Sequence, residues 1–231
     1  IIENNFSNNV YKNNQLLKYI EAKTNENENR LHVFCYWEND RTISQLSMFL
    51  KEIALNTNHM IYVHLILCQK SLSVYKSVER SLTLLNYELG NTIKVGMVTG
   101  ENYITNILCF RDMIKTFVTE AGEKWKDLTK KVEVLTQTKT IPNHTRTFSV
   151  NNGFAINEGD QILFFNYNNI DINLFMTELG SQKYRTIDTT KLSYYSLFPV
   201  KCNVQVPFMY NYAISSTYAA GTLKAIGAKC L

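Results

Sequence analysis

Three short apolar runs, Leu31–Trp37, Ile61–Cys68 and Ile93–Val98, are each followed by a stretch with helical periodicity, and this alternation most constrains the fold. Each run is too short for a core helix and has little polar alternation, which is the pattern of strands buried on both faces. Between the first two, Ile43, Leu46, Phe49, Leu50 and Ile53 recur at the spacing of one helix face, predicting a helix over Ile43–Leu55. Between the second and third, Val74, Val78, Leu82 and Leu85 mark a helix over Leu72–Leu89, with Gly90 placed to cap it. Thr105–Thr119 is a third helical segment. Strands alternating with helices require crossover connections, so the expected fold class is α/β: a three-layer domain with a mostly parallel sheet flanked by helices. His32 and His64 fall within or beside these strands, where a structural role is expected of them.

Further along, Glu123–Thr138 reads as a charged helix or loop, and Thr140–Asn157 carries the turn signals Pro142-Asn143 and Asn151-Asn152-Gly153. Ile162–Phe165 is a short buried strand, Ile172–Leu179 a helix ended by Gly180, and Leu192–Phe198 a strand interrupted at Pro199. Tyr212–Ile226 reads as a helix whose small residues Ala213, Ala219, Ala220 and Gly221 suit close packing. The expected organisation is an Asn-rich polar connector with a short helix at 1–30, an α/β domain at 31–205 and a C-terminal helical segment at 206–231. The first residue is Ile rather than Met, so the chain is expected to be part of a longer polypeptide.

Charge and cysteine usage narrow the function classes. A net charge of +4 is spread along the chain, and the densest basic patch, Lys124, Lys126, Lys130 and Lys131, is interleaved with Glu123, Asp127 and Glu133. That is a solvated helix face rather than a nucleic-acid surface, so no nucleic-acid partner is expected. Five widely spaced cysteines, Cys35, Cys68, Cys109, Cys202 and Cys230, form no Cys-x-x-Cys pair and no Cys/His cluster, which argues against zinc and against a disulfide framework. No apolar run approaches the roughly 20 residues of a membrane helix and no secretory signal opens the chain, so the expected location is cytoplasmic, with no membrane span. Neither Gly-x-Gly-x-x-Gly, a P-loop nor a Gly-x-Ser-x-Gly elbow is present.

The segment Gly159-Asp160, then the apolar strand Gln161–Phe165, then Asn166-Tyr167 resembles the Gly-Asp, strand, Phe-Asn-Phe element of the cofactor-independent phosphoglycerate mutases. Other elements follow in the order of that family's inserted substrate-binding domain: Asn14-Gln15-Leu16-Leu17, Leu31-His32-Val33, Val63-His64-Leu65, Val98-Thr99-Gly100, Val206-Pro207-Phe208 and the final run Gly221–Ala228. The resemblance covers nearly the whole chain and implies the fold of that inserted domain. In such enzymes a separate phosphatase-type domain supplies two manganese ions and a serine nucleophile. The resemblance therefore implies no cofactor in this chain, manganese being expected only if the parent protein carries such a domain.

The positions that grip phosphoglycerate in the family are altered here. After the first strand the family has Ser-Asp-Gly-Gly-Val-His-Ser-His, where this chain has Trp37-Glu38-Asn39-Asp40-Arg41-Thr42-Ile43-Ser44. The Gly-Arg-Asp after the second strand is matched by Cys68, Gln69 and Lys70, and Glu101 stands where an arginine follows the third strand. Asn168 and Asp171 take the places of two further arginines. Asp40, Arg41, Gln69, Lys70, Glu101, Asn168 and Asp171 are thus the degenerate equivalents of the substrate site, and no catalytic residue or metal ligand is expected. A guanidinium binds phosphate bidentately, whereas an amide offers neutral donors and a carboxylate repels the ligand. The expectation is a non-catalytic relative, a structural or protein-binding module whose partners are other protein domains or subunits, its old cleft lined by Trp37, Glu38, Glu101 and Tyr103. The alternative is the substrate-binding part of a divergent mutase, interconverting 3- and 2-phosphoglycerate, with Arg41, Lys70, Arg111 and Arg185 converging on the ligand. A third class is a different small-molecule binder using the loops 37–44, 68–72, 99–106 and 166–171 beyond the carboxyl ends of the strands.

Overall fold

A computed structural model describes residues 20, 30–57, 59–89, 92–125, 127–165, 172–181, 187–197 and 206. The strands are β1 (Leu31–Trp37), β2 (Ile61–Leu67), β3 (Ile93–Gly100), β4 (Glu123–Lys124), β5 (Phe148–Ser149), β6 (Gln161–Phe164) and β7 (Ser193–Ser196). The helices are α1 (Asp40–Asn56), α2 (Ser73–Leu89), α3 (Glu101–Ile104), α4 (Ile107–Thr119), α5 (Leu128–Gln137) and α6 (Ile172–Gly180). Among the described residues the strands form one seven-stranded sheet in the order β4-β5-β3-β2-β1-β6-β7. From β3 to β7 every neighbouring pair is parallel, while β5 runs antiparallel to β3.

The alternation of side chains along the strands builds a core on each face of the sheet. Leu31, Val33, Cys35 and Trp37 of β1 pack with Leu46, Phe49, Leu50 and Ile53 of α1, Val74, Val78 and Leu82 of α2, and Val132 and Leu135 of α5. Phe34 and Tyr36 turn the other way, toward Phe110, Met113, Ile114 and Phe117 of α4 and Phe175 and Leu179 of α6. Helices on both faces of a mostly parallel sheet make the three-layer α/β domain that the sequence pattern predicts.

Local chemistry sets the helix limits. Asn39 caps α1, its side-chain oxygen accepting from Thr42 N at 3.1 Å. Asn106 does the same for α4, accepting from Leu108 N at 2.9 Å, and α4 ends where Glu120 turns left-handed at φ 54°. Asp127 caps α5 by accepting from Thr129 N and Lys130 N. The Glu123–Thr138 stretch is therefore divided, its first residues pairing as β4 and its remainder folding as α5. The expected C-terminal helix at Tyr212–Ile226 lies outside the described residues.

One irregularity in the sheet has a clear cause. Val63 pairs with Val95 but Leu65 pairs with Val98, so β3 carries an extra residue opposite His64. The His64 ring lies against Gly96 so closely that a Cβ there would be 2.5 Å from Cε1, and only glycine leaves the imidazole its place in the sheet.

Candidate functional site

Leaving β1 the chain turns to β2 and β3 on one side, and later to β6 and β7 on the other, so the strand order reverses between β1 and β6. In open α/β sheets, ligands bind beyond the carboxyl ends of the strands at such a reversal. The register sets Trp37, Leu67 and Gly100 abreast, so the segments that follow them leave from one edge. That edge receives Asp40 and Arg41 in the first turn of α1, Gln69 and Lys70 after β2, and Glu101 as the first residue of α3. Backbone topology therefore brings these five positions to the same end of the sheet. Asn168, Asp171 and Arg185 lie outside the described residues.

Apart from the exposed Lys70, the side chains described at this edge are acidic and weakly polar. Cys68 is half-buried, its thiol donating to Ile66 O at 3.6 Å, and burial first, then the Glu101 and Glu38 carboxylates, push that thiol well above the ordinary range. Burial, again with Cys68 and Glu101 beside it, also raises the Tyr36 phenol. Both groups are neutral at pH 7, and the thiol is held away from the nucleophilic thiolate form. Lys70 is exposed. Arg111, a candidate cation, is committed elsewhere: its Nε and Nη2 donate to the two Glu178 carboxylate oxygens at 2.9 and 3.0 Å, joining α4 to α6. Tyr103 is half-buried, packs against the α4/α6 core and donates to Asp112 Oδ2 at 3.3 Å; burial and that carboxylate push its phenol up to about 12.

The chain itself closes part of the edge. The Pro142–His144 turn lies over the ends of β2 and β3, with Asn143 N donating to Gln69 O at 3.1 Å and Gly100 N to Thr145 O at 2.8 Å. A Cβ at Gly100 would meet Asn143 backbone atoms at 2.5 Å, so glycine is needed here for close backbone approach rather than for a ligand. Tyr75 of α2 pins the segment, its hydroxyl donating to Thr140 O at 3.1 Å and lying 2.6 Å from Thr145 Oγ1. Trp37, expected in the cleft, is fully buried in the core between sheet, α1 and α2.

The charged cluster that the sequence did not reveal lies at the opposite, amino end of the sheet. Arg30 grips Asp160 through Nε at 3.2 Å and Nη2 at 2.6 Å, and its Nη1 and Nη2 also donate to the carbonyls of Gly153 and Ala155. Asp160 is buried, yet His32, Arg30 and the Asn157 amide outweigh that burial and hold its carboxyl down at about 2. Asp160, read from sequence as part of a family motif, is the hub of a structural ion network, and Arg30 is its main partner. Among the described residues no group of three or more His, Cys, Asp or Glu is arranged to hold a metal ion, and no helix is long and apolar enough to cross a membrane. The chain matches no family model, and no curated protein sequence matches it.

Proposed function

We propose that this domain is a non-catalytic relative of the inserted domain of cofactor-independent phosphoglycerate mutase, serving as a structural or protein-binding module in a reducing, cytoplasmic setting. The observation that carries the reading is the carboxyl edge of the sheet, where Glu101 and Glu38 flank a protonated Cys68. A phosphoglycerate site needs guanidinium or ammonium groups there, and each charge-assisted hydrogen bond is worth about 1.5–3 kcal/mol. Arg41 and Lys70 also follow β1 and β2 at this edge, but the two carboxylates beside Cys68 repel the same anion. The Pro142–His144 turn supports the reading by occupying the space over β2 and β3. Cys35, Cys68 and Cys109 are free thiols, in keeping with a reducing compartment. Partners are then other protein domains or subunits, and the domain holds no cofactor of its own.

Calorimetric titration with 3-phosphoglycerate at low ionic strength tests this, because a surviving cationic site is strongest where salt screening is weakest. The expected result is no saturable heat. Saturable binding at millimolar affinity or tighter overturns the proposal in favour of a divergent mutase substrate domain.

A further inference from the structure

The network at the amino end of the sheet continues past Asp160 into two imidazoles. His32 Nε2 lies 3.2 Å from Asp160 Oδ2, and His32 Nδ1 lies 3.0 Å from His64 Nε2. Both rings are fully buried. The ionised Asp160 can only accept, so His32 carries its proton on Nε2 and offers Nδ1 as an acceptor. His64 must then carry its proton on Nε2, leaving Nδ1 as a bare lone pair. That atom is buried and has no hydrogen-bond partner among the described residues. Around the His64 ring stand Phe34, stacked at a centroid distance of 4.7 Å, and Phe117 and Phe154, edge-on at 5.0 and 5.6 Å, with Gly96 against it.

This arrangement has no place for a second proton. A proton added to His64 goes to Nδ1 and points into the phenylalanine cage. A proton added to His32 makes both its nitrogens donors, so His64 must accept at Nε2 and carry its own proton on Nδ1. Either route ends with the same unpaired buried N–H, in a site that already penalises charge. Asp160 favours a charged His32, but Arg30 opposes charge on both rings. Among the described residues none of the other ionisable groups near the pair bonds that atom: Tyr62 stacks on His32, Lys94 stands opposite Tyr62 in the ladder, and Glu120 accepts from Ala155 N at 2.8 Å. Burial accordingly draws His32 below the ordinary histidine range, and His64 further.

Phe154 belongs to the 153–160 segment, which is tied down by Arg30 at Gly153 and Ala155, by Ala155 N donating to Glu120 Oε1 at 2.8 Å and by Ile156 N donating to Phe117 O at 3.3 Å. Lifting that segment uncovers His64 Nδ1 to water. We propose that the His32–His64 pair is an acid-operated latch: proton uptake by either ring releases the 153–160 segment and Arg30 from the sheet while the central strands remain paired.

The test uses the full chain. As pH is lowered from 7.5 to 5, and after correction for intrinsic exchange, the amides of Ala155 and Asn157 should exchange faster well before those of Leu65 and Ile66 in β2. In urea unfolding, two buried neutral histidines that become protonated only when released make the folding constant fall by up to about 100-fold per pH unit below the ordinary histidine pKa. His64→Gln keeps a donor at the Nε2 position, can rotate its amide to accept, and does not titrate, so it should remove at least half of this slope, leaving at most about tenfold per pH unit from His32. His144→Gln, at an exposed side chain paired with Asn102, should not. An unchanged slope in His64→Gln overturns the latch. If that variant does not fold, the wild-type exchange pattern decides alone, and even acceleration across loop and strands overturns the proposal.

Discussion

The two ends of the sheet spend their charge differently. At the amino end, Arg30, Asp160, His32 and His64 form one connected chain in which the carboxylate accepts from a guanidinium, an imidazole and a backbone amide. At the carboxyl end, Glu38 and Glu101 share a half-buried neighbourhood with a neutral thiol and phenol. A ligand site would invert this distribution, with strong directed charge beside the loops and a plain hydrocarbon floor. Here the buried Arg30–Asp160 pairing lies where it fastens β1, β6 and the 153–160 segment together. The comparison teaches that this chain uses its best ionic chemistry to hold the fold.

The sharpest way to break that comparison is Asp160→Asn. It leaves the Arg30 guanidinium and His32 without their anion, and removing one member of a buried pair costs about 3–5 kcal/mol. Urea unfolding at pH 7 should show that loss; a change below about 1 kcal/mol would place the network among ordinary surface pairs. The same carboxylate predicts an acid limit. Its pKa is depressed in the folded state, from 3.8 to about 2, so its stabilisation is complete above 3.8 and is lost as pH falls toward 2. The amount is about 2 kcal/mol. It should be missing from the pH profile of Asp160→Asn below pH 4.

Much of the fold was legible because burial on both faces writes itself into strand sequence. Leu31–Trp37 matches its run residue for residue, and α2 and α6 end within a residue of the expected limits. The two-residue strands β4 and β5 had no such signal, since a pair of ladder residues has no periodicity and their pairing depends on where the Thr140–Val150 segment is carried. The positions of the candidate site were legible as loops following strands, and the register brings five of them to one edge. The latch was not legible. Asp160 meets Arg30 and His32 across about half of the chain, and sequence spacing carries no information on which strands become neighbours. Arg30, at the end of the expected connector, marks how little a polar stretch reveals about its last residue. Ile20, also within that stretch, is fully buried in the core, with its carbonyl near His59 and Gln161.

A middle-sized effect probes the carboxyl edge as structure rather than site. Gly100→Ala places a methyl 2.5 Å from Asn143 backbone atoms, and backbone cannot swing aside as a side-chain tip can. Overpacking of this kind costs about 1–3 kcal/mol. If the loss comes with faster exchange at Thr145 and Asn143 and none at Asn157, the two ends of the sheet are independently fastened.

The smallest effect separates electrostatics from burial at the same edge. Glu101→Gln removes a carboxylate that disfavours the Cys68 thiolate, but leaves the packing nearly unchanged. Stability should move by less than about 0.5 kcal/mol, as for substitutions away from a packed core. The Cys68 thiol, by contrast, should become more acidic, seen as faster iodoacetamide labelling at pH 9 when the Cys68 peptide is quantified by mass spectrometry. Because burial is the largest cause of the raised thiol pKa, the rate should rise without reaching that of an exposed cysteine. An unchanged rate would mean that Glu101 does not govern Cys68, and the acidic character assigned to this edge would rest on Glu38 alone.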